Sequence, residues 1–262
     1  MSSDGQLTGE VALVTGSGAG NGEAIAKRFA AMGAKVVVND IDGNKAESTG
    51  KDIESYGGEV LVTVGDATKK ADVTSVADEA REEFGRVDIL VNNVGLFEAV
   101  KFTEMDQEDW NRYMALNLDS TYLYTYEFLS GMIDRGHGNI INISSDAGKS
   151  GYPELVAYSA AKHGVVGFTR ALAKEVAGDG INVNAVCPGY IKTDMHWDFL
   201  EQWAEAAGKS EEEIEEEAIA GIPLGEFGKP EYVAEVVAFL ASPATEWMTG
   251  QAINISGGLE TH

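Results

Sequence analysis

The feature that most limits what this chain can fold into is a repeated alternation of a short apolar run with a longer stretch of helical spacing. Val11–Thr15, Lys35–Asn39, Glu59–Thr63, Val87–Val91, Asn139–Ile143 and Ile181–Val186 have strand length and are rich in valine and isoleucine, and Gln251–Ile255 looks like a seventh. Between them, apolar residues recur three and four apart, as at Ile25, Phe29 and Met32, or at Val233, Val236, Val237 and Leu240. Near-continuous apolar strands alternating with helices predict an α/β fold, a doubly wound parallel sheet of about seven strands with helices on both faces. No proline- or serine-rich linker and no repeat interrupts the chain, so residues 1–262 are expected to form a single domain. One segment breaks the rhythm. Residues 193–221 carry Trp197, Phe199, Leu200 and Trp203 and then the acidic run Glu211–Glu217. We expect one or two inserted helices there, wet on the acidic face and covering a substrate pocket with the aromatic one.

The charge restricts the partners. Asp and Glu number 43 against 19 Lys and Arg, a formal net charge of −24. Such a surface repels nucleic acid and anionic membranes. The acids are spread from Asp4 to Glu260, which points to a surface adapted to high salt, where counterions screen the self-repulsion. A halophilic source is therefore expected. The lone Cys187 excludes an intrachain disulfide and a CxxC site, and is read as a small buried hydrophobe. The start of the chain is polar and no apolar run approaches a membrane span, so the expected compartment is the cytoplasm. His137, His163, His196 and His262 show no ligand spacing, and no metal site is expected.

The chemistry begins at the first turn. Thr15-Gly-Ser-Gly-Ala-Gly-Asn-Gly22 follows the first strand and opens a helical pattern. Glycines there permit a tight turn and let backbone N–H groups approach a pyrophosphate at the helix N-terminus. Asp40, at the end of the second strand, lies where an acid can bind the adenosine ribose hydroxyls and repel a 2′-phosphate. Neither Ala19 nor Asn39 offers an arginine for that phosphate, so NAD is favoured over NADP.

Further along stand Asn92-Asn93-Val94-Gly95, Ser145, Tyr158-Ser-Ala-Ala-Lys162 and Pro188-Gly189 with Ile191 and Thr193. With the glycine turn, in this order and spacing, the chain resembles the short-chain dehydrogenase/reductase family over nearly its whole length. The chemistry fits. Residues four apart share a helix face, so Tyr158 and Lys162 can enter one site. A phenol near pKa 10 is a poor base, and a nearby ammonium together with the nicotinium charge should bring it toward working pH. Tyr158 then exchanges the hydroxyl proton as hydride moves, and Ser145 steadies the reacting oxygen.

The resemblance implies that Lys162 also grips the nicotinamide ribose and that Asn117, in Ala115-Leu-Asn-Leu-Asp, supports a water relay to it. It further implies cofactor contacts at Gly16, Ser17, Gly20, Asn21, Gly22, Asp40, Ile41, Asp66, Ala67, Asn93, Gly95, Tyr158, Lys162, Pro188, Gly189, Ile191 and Thr193. Asn21 departs from the family, which usually has an apolar residue there, and this bears on packing beside the pyrophosphate and nicotinamide.

The substrate pocket is expected to be lined by Leu96, Asp146, Tyr152, Gly189, Met195, His196 and Trp197. A carboxylate at Asp146 suits a neutral polyhydroxylated substrate better than an anion, so the expected reaction is NAD(H)-linked interconversion of a secondary alcohol, a polyol, sugar or diol, and its carbonyl. A 3-oxoacyl thioester reductase of the same family is the alternative, with a non-catalytic dinucleotide-binding protein and a methyltransferase as rivals outside it. Family members are commonly dimers or tetramers, and a homotetramer or homodimer is expected.

Overall fold

A computed structural model describes residues 5–262, apart from the side chain of Ala206; the polar start, residues 1–4, lies outside the described residues. Among these the alternation becomes seven strands: β1 (Val11–Thr15), β2 (Lys35–Asp40), β3 (Val60–Val64), β4 (Ile89–Asn92), β5 (Gly138–Ile143), β6 (Ile181–Pro188) and β7 (Ala252–Ile255). Their spatial order is β3-β2-β1-β4-β5-β6-β7, and every pair is parallel. The chain winds outward from β1 to β3 and then returns to β4, so the direction reverses between β1 and β4. In an open parallel sheet the ligand crevice lies beyond the strand carboxyl ends at such a reversal.

The intervening helices are α1 (Gly20–Ala31), α2 (Gly43–Ser55), α3 (Lys70–Phe84), α4 (Gln107–Met114), α5 (Ser120–Arg135), α6 (Val156–Val176), α7 (Asp194–Ala207), α8 (Glu211–Ala220) and α9 (Pro230–Ala241). Side chains alternate across each strand, and both sides find apolar cover. On one side Ala12, Val14, Val36, Val38 and Val91 pack with Ile25 and Phe29 of α1 and Val233 and Val237 of α9. On the other, Leu13, Val37, Leu90, Ile140 and Val183 meet Val73 and Val76 of α3, Tyr124 and Phe128 of α5 and Val176 of α6. Each large side chain buried this way contributes about 1.5–3 kcal/mol. Local signals set the ends: Asp106 and Asp109 form a capping box on α4, and the left-handed Gly85 and Gly136 terminate α3 and α5.

The irregular segment forms α7 and α8, which share a small core of Phe199, Leu200, Ala204, Ile214, Ala218, Ile222 and Phe227. The acidic run is wet on one face and packed on the other: Glu211, Glu212, Glu216 and Glu217 are exposed, while Ile214 and Ala218 are buried. Strand β4 begins two residues later than its apolar run. The Asp88 side chain accepts the Val11 N–H at 3.0 Å and the Arg86 guanidinium at 2.8 Å, and this spends the run's first residues on a corner. Cys187 is buried in β6. Among the described residues no helix is long and apolar enough to cross a membrane.

Candidate active site

The glycine turn between β1 and α1 is drawn tight by specific contacts. Gly16 and Gly20 have φ of 61° and 58°, the left-handed region that an L side chain resists. A Cβ on Gly22 would lie 2.1 Å from the Gly16 carbonyl oxygen, so the helix start and the turn touch through bare backbone. The Asn93 amide locks this approach by donating to the Thr15 carbonyl at 3.0 Å and the Gly16 carbonyl at 2.9 Å. Its neighbour Asn92 has a separate task, donating inside the core to Asn142 at 2.8 Å and Thr125 at 3.1 Å. Ser17 spends its N–H on the Asn39 carbonyl and its hydroxyl on the Val14 carbonyl, so it ties the turn to β2.

Three observations test the cradle against a nicotinamide dinucleotide, and all fit. The start of α1, with Ala19 at the cap position, has no side-chain cap, which leaves N–H groups and the positive end of the helix dipole for an anion. The Asn21 Oδ1 atom is buried without a hydrogen-bond partner beside Gly20, at which a Cβ would meet the Thr193 side chain at 3.2 Å. And at the end of β2, Asp40 accepts from the Gly18 N–H at 2.8 Å and the Asp42 N–H at 3.0 Å, which fixes a carboxylate at the mouth of the turn.

Ile41 beside it is 67% exposed, and Ala67 is buried beyond β3. Asp66 accepts from the Thr68 N–H and hydroxyl at 2.9 and 2.7 Å and pairs with Lys69 at 3.0 Å. Burial raises its carboxyl, but these hydrogen bonds outweigh burial and hold it below the usual range.

The candidate catalytic residues meet at the carboxyl ends of β4 and β5. Helix α6 places Tyr158 and Lys162 one turn apart. The buried Lys162 ammonium donates to the Ile143 carbonyl at 3.0 Å and lies 5.7 Å from the centre of the Tyr158 ring. Burial pushes it down to about 8. Asn117 is fully buried in a wider, π-helical turn, Ala115–Asp119, that interrupts the helix running from α4 into α5. Its Oδ1 accepts the Leu96 N–H at 3.1 Å and its amide donates to the Tyr113 carbonyl at 3.1 Å. A Cβ on Gly95 would lie 2.9 Å from Asn117 Oδ1 and 3.3 Å from Lys162 Nζ, so these three residues converge.

Ser145, just beyond β5, donates to Asp146 Oδ1 at 2.7 Å and lies near enough to Tyr158 to influence its phenol. Burial pushes the Tyr158 phenol above its ordinary value, the Ser145 contact opposes this, and the Asp146 charge adds to it.

The pocket residues divide. Asp146 also accepts the Tyr152 hydroxyl at 3.1 Å. Gly189 sits against Ser256, and Ile191 bridges to Gly228 after Pro188 ends β6. The Thr193 side chain caps α7 by accepting the His196 N–H at 3.3 Å. Met195 and Trp197 are each 43% exposed. His196, expected to touch substrate, is instead buried among aromatic rings, 4.5 Å from Phe227 and 5.8 Å from Tyr190, and burial pushes its imidazole down to about 4. It is neutral there. Phe97 is the contact that sequence reasoning missed: its ring lies 4.9 Å from Tyr158 and 4.5 Å from Phe199 of α7, linking the inserted helices to the catalytic tyrosine. An aromatic two residues past Gly95 was the available signal.

At the opposite end of the sheet, Glu10, Asp88 and His137 bring possible ligand atoms within 4.8 Å of one another, a grouping that spacing in the sequence does not show. Arg86 at 2.8 Å and Arg135 at 3.6 Å already neutralise Asp88, which opposes a cation there.

Residues 10–204 match the family model described as short chain dehydrogenase. The chain belongs to that family. It is 39% identical over 254 residues to the 3-oxoacyl-acyl-carrier-protein reductase FabG of Thermotoga maritima, covering 97% of this chain and 99% of that one. A hydroxy(phenyl)methylsuccinyl-CoA dehydrogenase subunit, BbsD of Thauera aromatica, is 39% identical over 252 residues, 96% of this chain and 97% of that one. Among solved structures, an actinorhodin polyketide ketoreductase variant with NADPH superposes with a TM-score of 0.95 at 37% identity, covering 99% of this chain and all of the other. The protein is an oxidoreductase of this family, and its fold is the single-domain, seven-stranded dinucleotide fold that the alternation predicts.

Proposed function

We propose that the protein reduces a ketone to a secondary alcohol, with a 3-oxoacyl thioester as the favoured substrate class and NADH as the favoured reductant. What supports this reading is the gathering of Ser145, Tyr158 and the buried Lys162 beyond the carboxyl end of β5, a set that can hand a proton to a carbonyl oxygen, in a chain similar to 3-oxoacyl reductases. The relatives named as 3-oxoacyl and ketoacyl reductases support the substrate class over the polyol dehydrogenase first expected.

The cofactor supplies the hydride. The turn Gly16–Gly22, with Asn21, would hold its pyrophosphate; Asp40 and Ile41 the adenosine ribose; Asp66 and Ala67 the adenine. Asn93, Gly95, Lys162 and the stretch from Pro188 through Gly189 and Ile191 to Thr193 would hold the nicotinamide half. In the reaction Tyr158 donates its proton to the carbonyl oxygen, and Ser145 holds that oxygen. Lys162 keeps positive charge beside the phenolate that forms, and Asn117 braces the Gly95–Leu96 backbone against it. Helices α7 and α8, through Phe199 on Phe97, exclude water from this proton transfer.

A second reading, oxidation of a polyol, sugar or diol, is favoured by the net charge of −24, which opposes an anionic acyl carrier and leaves a neutral substrate unaffected. One assay separates the two. NADH and NADPH consumption is followed with an N-acetylcysteamine thioester of 3-oxobutanoate, and NAD reduction with a panel of diols and sugars. Faster turnover of the thioester is expected, and turnover confined to the diols would reverse the order of the readings.

In the same assay NADH should outperform NADPH by about tenfold or more, since the Asp40 carboxylate meets the 2′-phosphate with like charge. Asp40→Ser should narrow that gap. An unchanged gap would remove Asp40 from cofactor selection.

The acidic surface and the exposed aromatics Tyr122 and Tyr126 on α5, and Trp247 beyond α9, support a salt-screened homo-oligomer, a tetramer or dimer. Light scattering and melting across a KCl series check both points. A rising melting temperature and a multiple of the monomer mass are expected; a melting temperature that falls on adding salt counts against the halophilic reading.

A further inference from the structure

We propose that Asp146 selects carbonyl substrates bearing a hydrogen-bond donor, a hydroxyl or ammonium group, on the carbon next to the reacting one. The inference rests on the carbonyl–alcohol reading above and concerns small ketones of the diol class, since a 3-oxoacyl thioester has no such donor beside its keto carbon and would leave Asp146 one partner short. It starts from one proton. Ser145 has a single hydroxyl hydrogen, and in this structure it is directed to Asp146 Oδ1 at 2.7 Å. The same oxygen accepts the Ala147 N–H at 2.8 Å, and Oδ2 accepts the Tyr152 hydroxyl at 3.1 Å. The serine oxygen in turn receives the Ala147 N–H at 3.2 Å. The resting array therefore points its protons at the carboxylate, away from the place where a carbonyl oxygen must sit.

Stabilising that oxygen requires the Ser145 proton. When Ser145 turns to the substrate, Asp146 Oδ1 keeps only the Ala147 N–H. A partly buried carboxylate is then left one donor short, directly beside the reacting centre. A ketone whose neighbouring carbon carries a hydroxyl or ammonium group can return the lost hydrogen bond from one atom farther along. A ketone with a methyl group there cannot, and one with a carboxylate there adds like charge. A site built around a polar partner rejects the analogue lacking it far more strongly than an apolar pocket rejects an added group. Asp146 thus converts the reorientation that catalysis imposes on Ser145 into a preference among small ketones.

The test uses three ketones of similar size with NADH: 1-hydroxybutan-2-one, pentan-2-one and 2-oxobutanoate. The wild-type protein should show kcat/KM for the hydroxyketone about tenfold or more above pentan-2-one, with the anion lowest. Asp146→Ala should bring the first two together, and Asp146→Asn should relax discrimination against the anion. Tyr152→Phe removes one of the donors on Asp146, so the preference for the hydroxyketone should grow, a direction that general damage to the site does not produce. Equal wild-type values for hydroxyketone and pentan-2-one, or a preference unaltered in Asp146→Ala, would overturn the inference while leaving the reductase reading intact. Failure to turn over any of these ketones or the thioester would overturn that reading and the inference with it.

Discussion

Replacing Tyr158 by phenylalanine is expected to lower kcat for carbonyl reduction by about 10³-fold while NADH affinity stays within about threefold. The substitution removes one oxygen and keeps the ring that meets Phe97 at 4.9 Å, so the pocket wall and the contact with the inserted helices persist. What disappears is the phenolic hydroxyl, whose neighbour Ser145 is placed to hold the reacting oxygen. Lys162 cannot take over. Its ammonium is held by the Ile143 carbonyl at 3.0 Å and lies 5.7 Å from the centre of the Tyr158 ring.

Single-turnover absorbance of NADH reads the chemical step, and quenching of protein fluorescence by NADH reads binding. Both are needed, because a loss of kcat with intact binding is the signature of an interaction made in the transition state. A variant that retained more than about a tenth of wild-type kcat would sink the assignment of Tyr158 as the acid.

That residue also shows where the sequence stops being legible. The spacing of Tyr158 and Lys162 on one helix face could be read directly, because a helix has a fixed period and α6 is long and regular. The strands were legible for a similar reason: a parallel sheet covered on both sides needs unbroken apolar runs, and Val11–Thr15 and Lys35–Asp40 provide them with little ambiguity. Asp40 and the glycine turn could be placed because the βαβ geometry leaves little freedom at a strand's carboxyl end.

Quantities set by distant contacts could not be read. The direction of the Tyr158 shift depends on how much water Phe97, Phe199 and the neighbouring elements exclude, and no spacing rule counts that. His196 looked available for substrate because it stands at the start of α7, yet its ring is spent on Phe227 and Tyr190, which come from two other loops. The gathering of Glu10, Asp88 and His137 likewise appears only when the loops ahead of β1, β4 and β5 are brought side by side. The π-helical turn at Asn117 is a local irregularity inside a good helical sequence, and helix propensity gives no sign of it.

The second large effect is expected at Gly22, where alanine should weaken NADH binding by about 100-fold and lower stability by about 1–3 kcal/mol. The reason is space. Gly22 has no left-handed backbone to defend; its difficulty is that a Cβ would stand 2.1 Å from the Gly16 carbonyl oxygen and 2.6 Å from Asn93 Nδ2. A side chain could swing away, but a carbonyl that accepts the Asn93 amide at 2.9 Å is fixed on both sides. The first turn of α1 must therefore retreat from the glycine turn. That retreat carries the uncapped N–H groups away from the pyrophosphate position and breaks the Asn93 lock.

Gly18 supplies the contrast. A Cβ there would meet Lys45 Cβ at 2.6 Å and Asp40 Oδ2 at 2.9 Å, both on side chains at the edge of the site. Lys45 Cβ is fixed to the backbone of α2, so Gly18→Ala should also cost stability, but the group displaced at the site is Asp40 and not the Gly16 carbonyl, and the NADH-to-NADPH ratio should shift more than overall binding. Melting curves and NADH titrations on the two variants make the comparison direct. If Gly22→Ala binds NADH within about threefold of wild type, the close approach of helix and turn is not what holds the cofactor, and the cradle must draw its affinity from Asp40 and the nicotinamide half.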